Sequence, residues 1–163
     1  MSKSVFTIKR DELKVTMERT FNASREAVFQ AYIDPEAIPK WWGPRNQTTT
    51  VDQMDVREGG PWRFVSRDGA GNEYAFHGVH KEIDPPKRLS ATFNFEGLPG
   101  DHELIGTVTF EDLGGKTKVT STATYATVED LDGMVASGME SGATESWERL
   151  AELVERGSQR ARA

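Results

Sequence analysis

The chain has 163 residues, a net charge of −6 at pH 7 and no cysteine. This length suits one domain with a substantial core, and the lack of cysteine excludes disulfides, thiolate metal sites and cysteine nucleophiles. Basic residues are scattered among acidic ones without a dense basic stripe, which disfavours nucleic acid and membrane as partners. We expect a cytoplasmic protein, because the N-terminus has no apolar run typical of a signal peptide or anchor.

The N-terminal third of the chain predicts one strand followed by two short helices. Residues 1–12 carry no clear periodicity and are expected to be a loose lead-in. Residues 13–21 alternate between apolar and polar side chains, which indicates a strand with one buried face. Ser24, or Asn22, is placed to cap the first helix, and Asp34-Pro35 to start the second.

A long β section follows, because short alternating runs are separated by turns rich in Gly, Asp and Pro. Such turns join antiparallel neighbours, and no strand–helix alternation indicates a parallel sheet. The predicted strands cover about 48–57, 61–67, 73–83, 88–96, 103–112 and 116–126.

The last section predicts a long amphipathic helix. Its apolar face carries Met139, Ala143, Trp147, Leu150 and Val154. Gly157 is expected to end the helix, with residues 157–163 as a disordered tail. Gly138 and Gly142 stack four residues apart near its start, where they would form a notch for a ligand or for close packing. The fold class is therefore α+β, with one domain over residues 13–156.

A sheet of seven strands twists and curls, so a single helix cannot fill its concave side. Either bulky side chains or a ligand must fill the remaining space. The strands carry many inward aromatic residues, which suit a small-molecule pocket and an ordinary core equally well. Residue by residue an ordinary core is the favoured interpretation, and only the architecture favours a cavity.

Seven short motifs resemble, in their order along the chain, one known family. They are Arg19-x-Phe21, Asp34-Pro35, Trp41-Trp42-Gly43-Pro44, Arg57-x-Gly59-Gly60-x-Trp62, the stretch from Asp68-Gly69 through Gly78, Pro85-Pro86-x-Arg88, and Gly138-Met139 with Trp147–Leu150. The family is that of bacterial proteins similar to the C-terminal domain of the activator of heat-shock-protein-90 ATPase, in the START-like, helix-grip (SRPBCC) superfamily. The resemblance implies a curved seven-stranded antiparallel sheet that grips the long C-terminal helix, with a cavity between them. It also implies ligands such as lipids, hormones and polyketides, and in some members cyclase or dehydratase activity.

The leading hypothesis is non-catalytic binding of a small hydrophobic or amphipathic molecule in that cavity, without cofactor or metal, by a monomer or homodimer. Trp41 and Trp42 are expected at the pocket rim, or as a plug of that end. The other predicted ligand-binding residues are Met17, Trp62, Phe64, Tyr74, Phe76, Phe93, Phe110, Met139 and Trp147. Alternatives are a protein-interaction module, such as a chaperone partner, and a polyketide-type cyclase or dehydratase.

Polar residues give little support to catalysis. His77 and His80 lie three apart, so a strand places them on opposite faces, where they cannot chelate one metal ion. Arg19 and Ser121 share the phase of the inward residues, and Arg19 is expected to reach solvent or a nearby acid. A cyclase or dehydratase would need an acid or base inside the cavity.

Overall fold

The computed structural model describes residues 3–96 and 102–162. These residues form one antiparallel sheet of eight strands in the spatial order β1-β2-β8-β7-β6-β5-β4-β3. The strands are β1 (Val5–Lys9), β2 (Lys14–Phe21), β3 (Gln47–Met54), β4 (Pro61–Asp68), β5 (Glu73–Asp84), β6 (Arg88–Phe95), β7 (Leu104–Asp112) and β8 (Thr117–Thr124). The helices are α1 (Arg25–Ile33), α2 (Ile38–Trp41), α3 (Val128–Ala136) and α4 (Met139–Arg162).

The predicted α+β class and the helix-grip arrangement are confirmed, but the sheet has one more strand than expected. The expectation of a loose lead-in does not hold for Val5–Lys9, which pairs along β2. Val5 and Ile8 are exposed while Phe6 packs against the core, so this edge strand lacks the alternation that marks the others. Residues 1 and 2 of the predicted lead-in lie outside the described residues.

Local signals explain how β2 passes into the helices. Val15, Met17 and Phe21 point into the core as their alternation predicts. The Ser24 hydroxyl then accepts a hydrogen bond from the Ala27 amide and caps α1. Such a cap contributes about 1 kcal/mol to helix stability.

The C-terminal section contains two helices where one was predicted. Gly138 separates α3 from α4 with φ of 86°, a left-handed conformation that glycine adopts without strain. Gly138 is therefore a break between helices, and only Gly142 lies inside α4. The predicted stop at Gly157 is wrong, since α4 continues to Arg162. Residue 163 of the predicted tail lies outside the described residues.

Helix α4 packs its apolar face against the concave side of the sheet. Trp147, Leu150 and Val154 are buried, as the periodicity predicts, and the Trp147 ring meets Phe21 of β2 edge-on with centroids 5.6 Å apart. Among the described helices, none combines the length and apolar character needed to cross a membrane.

Candidate functional site

A cavity of about 480 Å³ lies between the concave face of the sheet and the helices. Every strand from β2 to β8 contributes to its wall, and each of the four helices closes it with at least one side chain. The wall is mostly apolar. In the described part of the chain, no Lys, Arg, Asp or Glu side chain lines it. The space therefore suits an uncharged and largely apolar molecule.

Most residues predicted from the sequence line this cavity. They are Met17, Trp62, Phe64, Phe76, Phe93, Met139 and Trp147, together with both predicted rim residues, Trp41 and Trp42. Several of the aromatic rings form a connected wall across β4, β5 and β6. Trp62 lies 4.8 Å from Phe64 and 5.8 Å from Phe93, and Phe76 lies 5.4 Å from Phe93, between ring centroids.

Tyr74 and Phe110 are placed elsewhere, although their phase in the strands points inward. Tyr74 lies beside the β4–β5 turn, where its hydroxyl donates to Asp68 Oδ2 at 3.0 Å. This hydrogen bond raises the pKa of Tyr74. Phe110 is buried under α1, with its ring edge-on to Phe29 and Tyr32. It contributes to the core and not to the cavity wall.

The two neighbouring tryptophans have different roles in the wall. Trp41 is buried and its indole N–H donates to the Ala31 carbonyl at 3.0 Å. Trp42 is half-buried and meets Phe64 and Phe76 edge-on, with both centroid distances 5.1 Å. Trp41 is therefore a fixed part of the interior, and Trp42 closes the wall against β4 and β5.

Helix α4 holds the segment after Trp42 in place. The Gly43 amide donates to Ser146 Oγ at 2.9 Å, and the Arg149 guanidinium donates to the Gly43 carbonyl at 2.9 Å. From the sheet side, the Thr49 hydroxyl donates to the Trp42 carbonyl at 2.7 Å. These bonds fix the backbone that carries Trp42, so its position does not depend on the ring contacts alone.

Sequence reasoning missed several wall residues, and His80 matters most among them. His80 shares the inward face of β5 with Phe76, while His77 lies on the opposite face, with its Nδ1 3.0 Å from Glu96 Oε2. The two histidines thus lie on opposite faces, as predicted. Burial lowers the pKa of His80, and the negative charge of Asp55 opposes this shift in part. The neutral imidazole is therefore the favoured form near neutral pH.

The motif Arg57-x-Gly59-Gly60-x-Trp62 brings His80 and Trp62 together. The Gly59 amide donates to the His80 carbonyl at 2.7 Å, and the His80 amide donates to the Gly60 carbonyl at 2.9 Å. A Cβ on Gly60 would lie 2.2 Å from the Asp55 carbonyl oxygen, so this tight turn requires glycine. The motif therefore has a structural reason, which is to fix the backbone of His80 beside Trp62.

The two tyrosines of the wall each contact another wall residue. Tyr32 accepts a hydrogen bond from Trp147 Nε1 at 2.9 Å, and burial raises its pKa far above the ordinary value. The Tyr125 hydroxyl contacts Met139 Sδ at 3.7 Å, and burial raises its pKa to about 12. Both phenols thus remain protonated at neutral pH. Among the described residues, no group of three or more His, Asp or Glu side chains could hold a metal ion.

Ser121 lines the cavity, as its phase predicts, whereas Arg19 does not. The Arg19 guanidinium carbon lies 5.2 Å from the ring centroid of Phe21. This distance allows a cation–π contact, which helps to hold the charged group against the apolar ring. Arg19 therefore does not contribute to the wall of the cavity.

Comparison with known proteins agrees with this geometry. The sequence profile described as "Activator of Hsp90 ATPase homolog 1-like protein" matches residues 22–155. Protein Ms6760 of Mycobacterium smegmatis is 25% identical over 96% of this chain and 99% of its own, with a TM-score of 0.86. Protein CV1439 of Chromobacterium violaceum is 26% identical over 88% of this chain and 97% of its own, with a TM-score of 0.80.

A more distant structure shares the fold alone. DynU16, from the dynemicin biosynthetic locus, is 18% identical over 89% of this chain and 48% of its own, with a TM-score of 0.65. The search of curated proteins finds no match for this chain.

Proposed function

Because this chain belongs to the family of activator of Hsp90 ATPase homolog 1-like proteins, we propose that it binds a small hydrophobic or amphipathic molecule in its internal cavity without catalysing a reaction. The observation that carries this proposal is the cavity itself, with a volume of about 480 Å³ and a wall mostly of aromatic, aliphatic and methionine side chains. Pockets for small molecules have volumes of about 300–1,000 Å³ and mostly apolar walls.

An interior of this kind costs stability when nothing occupies it. Protein cores are close-packed, with few voids larger than a water molecule, because each void forfeits dispersion contacts along its lining. A longer side chain at Gly142 would fill part of the space, since a Cβ there meets no atom within 4 Å outside the helix backbone. Glycine at this helical position costs about 1 kcal/mol relative to alanine. Its presence at the cavity wall supports a binding role for the cavity.

The alternatives have weaker support. A protein-interaction module, such as a chaperone partner, predicts a filled interior and an exposed apolar patch, whereas a cavity of about 480 Å³ lies beneath α4. A cyclase or dehydratase needs an acid or base at the substrate, and the tyrosines of the wall have raised pKa values. His80 is the remaining titratable side chain among the described wall residues, and it lacks a second acid or base beside it in the wall.

Equilibrium dialysis with the hydrocarbon fluorene tests the proposal. Gly142→Leu places a branched side chain in the cavity, and Gly133→Leu is the matched control. Gly133 lies on α3, is exposed and does not line the cavity, and a Cβ there also meets open space. We expect Gly142→Leu to weaken fluorene binding by about tenfold or more, equivalent to ~1.4 kcal/mol, and Gly133→Leu to leave it unchanged.

Equal fluorene binding by the wild type and Gly142→Leu would show that the hydrocarbon binds outside the cavity, and would refute the proposal. Equal weakening in both variants would also count against it, because a general loss of helix packing would then explain the result. Thermal unfolding of the three proteins checks that each one is folded at the dialysis temperature.

A further inference from the structure

We propose that the Ser121 hydroxyl is a polar anchor in the cavity, and that the bound molecule carries a neutral carbonyl or hydroxyl oxygen that forms a hydrogen bond with it. This inference rests on the proposed function and names the chemistry of the ligand. Ser121 of β8 is half-buried and lines the cavity. Among the described residues, none forms a hydrogen bond with its side chain.

The register of the sheet places Ser121 within an apolar row. Ser121 pairs with Met17 of β2 on one side and with Val108 of β7 on the other. Val108 in turn pairs with Leu89 of β6. Side chains of directly paired residues project from the same face of a sheet, and all four residues line the cavity. The Ser121 hydroxyl therefore lies on the sheet side of the cavity, between apolar side chains.

The oxygen of Ser121 is accessible from the cavity. A partly buried polar atom without a partner is either covered by protein atoms or open to the space that its side chain lines. Trp62 Nε1 and His80 Nε2 are of the first kind, because other protein atoms cover them. Ser121 Oγ is not covered in this way. Since its neighbours in β2 and β7 flank it on both sides, the open space in front of it is the cavity.

The fold makes no evident use of the Ser121 hydroxyl. Three buried hydroxyl groups on the same face of the sheet, by contrast, have partners. Thr49 donates to the Trp42 carbonyl and lies 2.9 Å from Ser66 Oγ, and Thr117 donates to the Ala23 carbonyl at 2.8 Å. Alanine at position 121 would suit the apolar row as well as serine does, without adding a polar group that must be solvated.

A bound molecule changes what this hydroxyl can contact. Water can satisfy an accessible hydroxyl, but a ligand that fills the cavity displaces this water. A pure hydrocarbon would then leave the donor and the acceptor of the hydroxyl unpaired, which lowers its affinity. A ligand with an oxygen beside Ser121 restores the hydrogen bond. The position of Ser121 therefore favours a molecule that is apolar except for such an oxygen.

The remaining wall requires that this oxygen belong to a neutral group. A carboxylate would need an opposite charge or several hydrogen bonds to offset its desolvation. No Lys or Arg side chain among the described residues lines the cavity, and the neutral form of His80 is favoured. One hydroxyl is sufficient for a ketone, an ester or an alcohol. These groups fit the wall better than the carboxylate of a fatty acid.

Two rigid probes of nearly equal shape test the inference. 9-Fluorenone has a carbonyl where fluorene has a methylene group, so the two differ by one hydrogen-bond acceptor. Ser121→Ala removes the hydroxyl. Thr122→Val is the matched control, because Thr122 is the next residue of β8, does not line the cavity and pairs with Thr16 and Thr107 on the opposite face.

Equilibrium dialysis gives the dissociation constant of each probe. The ratio of the constant for fluorene to that for 9-fluorenone should fall about fivefold in Ser121→Ala, the change for ~1 kcal/mol. Thr122→Val should keep the wild-type ratio. Fluorene-9-carboxylate should bind to the wild type more weakly than 9-fluorenone at neutral pH, because its charge has no counterpart in the wall.

Infrared spectra of 9-fluorenone bound to the wild type add a readout that does not depend on a variant. A hydrogen bond lowers the stretching frequency of a carbonyl group. The bound probe should therefore absorb at a lower frequency than the same probe in cyclohexane, and Ser121→Ala should return the band toward the cyclohexane value. A wild-type band at the cyclohexane value would overturn the inference, even if the variant failed to fold.

Each outcome separates the two proposals. If Gly142→Leu weakens fluorene binding but Ser121→Ala leaves the ratio of the two probes unchanged, the cavity is a binding site and the inference about Ser121 is wrong. Tighter binding of fluorene-9-carboxylate than of 9-fluorenone would show that the preferred oxygen is not neutral. If neither fluorene nor 9-fluorenone binds to the wild type, the proposed function fails and this inference fails with it.

Discussion

Gly78→Ala is expected to destabilise the protein strongly, because β5 and β6 approach each other closely at this residue. A Cβ at position 78 would lie 1.9 Å from the Thr92 carbonyl oxygen and 2.7 Å from its carbonyl carbon. Real Cβ contacts are essentially never shorter than 3.0 Å, so the two backbones would have to separate by about 1 Å. Backbone atoms of a paired strand cannot rotate away as a side chain could.

The separation would also break local bonds. The Val79 amide donates to Thr92 Oγ1 at 2.8 Å, and this contact lies next to the clash. Overpacking of this kind costs about 1–3 kcal/mol, and we expect about 3 kcal/mol because the obstacle is backbone. With an m-value of about 2 kcal/mol/M in urea, the unfolding midpoint should fall by about 1.5 M. Circular dichroism during urea unfolding measures this midpoint.

Gly106→Ala is the matched control for this experiment. Gly106 lies in β7 of the same sheet, and a Cβ there would meet its nearest atom, the Ala91 carbonyl oxygen, at 4.0 Å. Alanine at such a site removes entropy from the unfolded chain and stabilises by about 0.4–1 kcal/mol. A Gly78→Ala midpoint equal to that of the wild type, or to that of Gly106→Ala, would refute the steric argument.

Two further predictions concern polar groups of the cavity wall. Tyr32→Phe removes the acceptor of the Trp147 indole N–H, so it should lower the free energy of unfolding by about 1–3 kcal/mol in urea titrations; an unchanged midpoint would contradict this. His80→Gln should reduce the loss of stability on acidification from about pH 7.5 to about pH 5.5. Burial lowers the folded-state pKa of His80 below 6.5, so the unfolded chain binds the proton first and the wild type loses stability as the pH falls through this window. Equal pH dependence of the two proteins would show that His80 does not contribute.

Much of the fold could be predicted from the sequence, because most strands have one solvent-exposed and one buried face. In β2 this alternation fixed which side chains reach the core. The same signal failed for β1, where exposed Val5 and Ile8 flank a Phe6 that packs on the core. The pairing of β1 with β2 is a tertiary effect that local periodicity does not carry.

Irregular positions were harder to place than regular ones. In the predicted strand over about 48–57, Val51, Met54 and Val56 do not follow a simple alternation. The structure has a register shift between Val51 and Gln53.

A glycine inside a predicted strand, such as Gly78, suggests a bulge at that point. The bulge in β5 lies two residues later, between His80 and Glu82. The sequence marks this region only by Gly78. In the structure, Gly78 allows the close approach of β6, and the extra residue of the bulge follows later in β5. A bulge at Gly78 would turn His80 to the other face of β5, whereas a bulge after His80 leaves it on the face of Phe76. The sequence alone therefore could not assign the face of His80.

In the candidate site, alternation along a strand likewise fails to predict where two side chains lie. Tyr74 and Phe76 share a phase, yet the Tyr74 hydroxyl donates to Asp68 at the end of β4 and lies away from the wall. Phe110 also has the inward phase, but α1 covers that end of β7 with Phe29 and Tyr32. Phase predicts the face of the sheet, while the position of covering helices decides between cavity and core. The sequence predicted these helices without their placement over the sheet.

Glycine and tryptophan in the wall are linked by one structural requirement. The absence of a side chain at Gly78 admits both the β6 backbone and the Trp62 indole. The turn at Gly59 and Gly60 fixes His80 next to that indole through backbone hydrogen bonds. Trp62 Nε1 and His80 Nε2 are both covered by other protein atoms, so close packing at Gly78 decides the position of the indole.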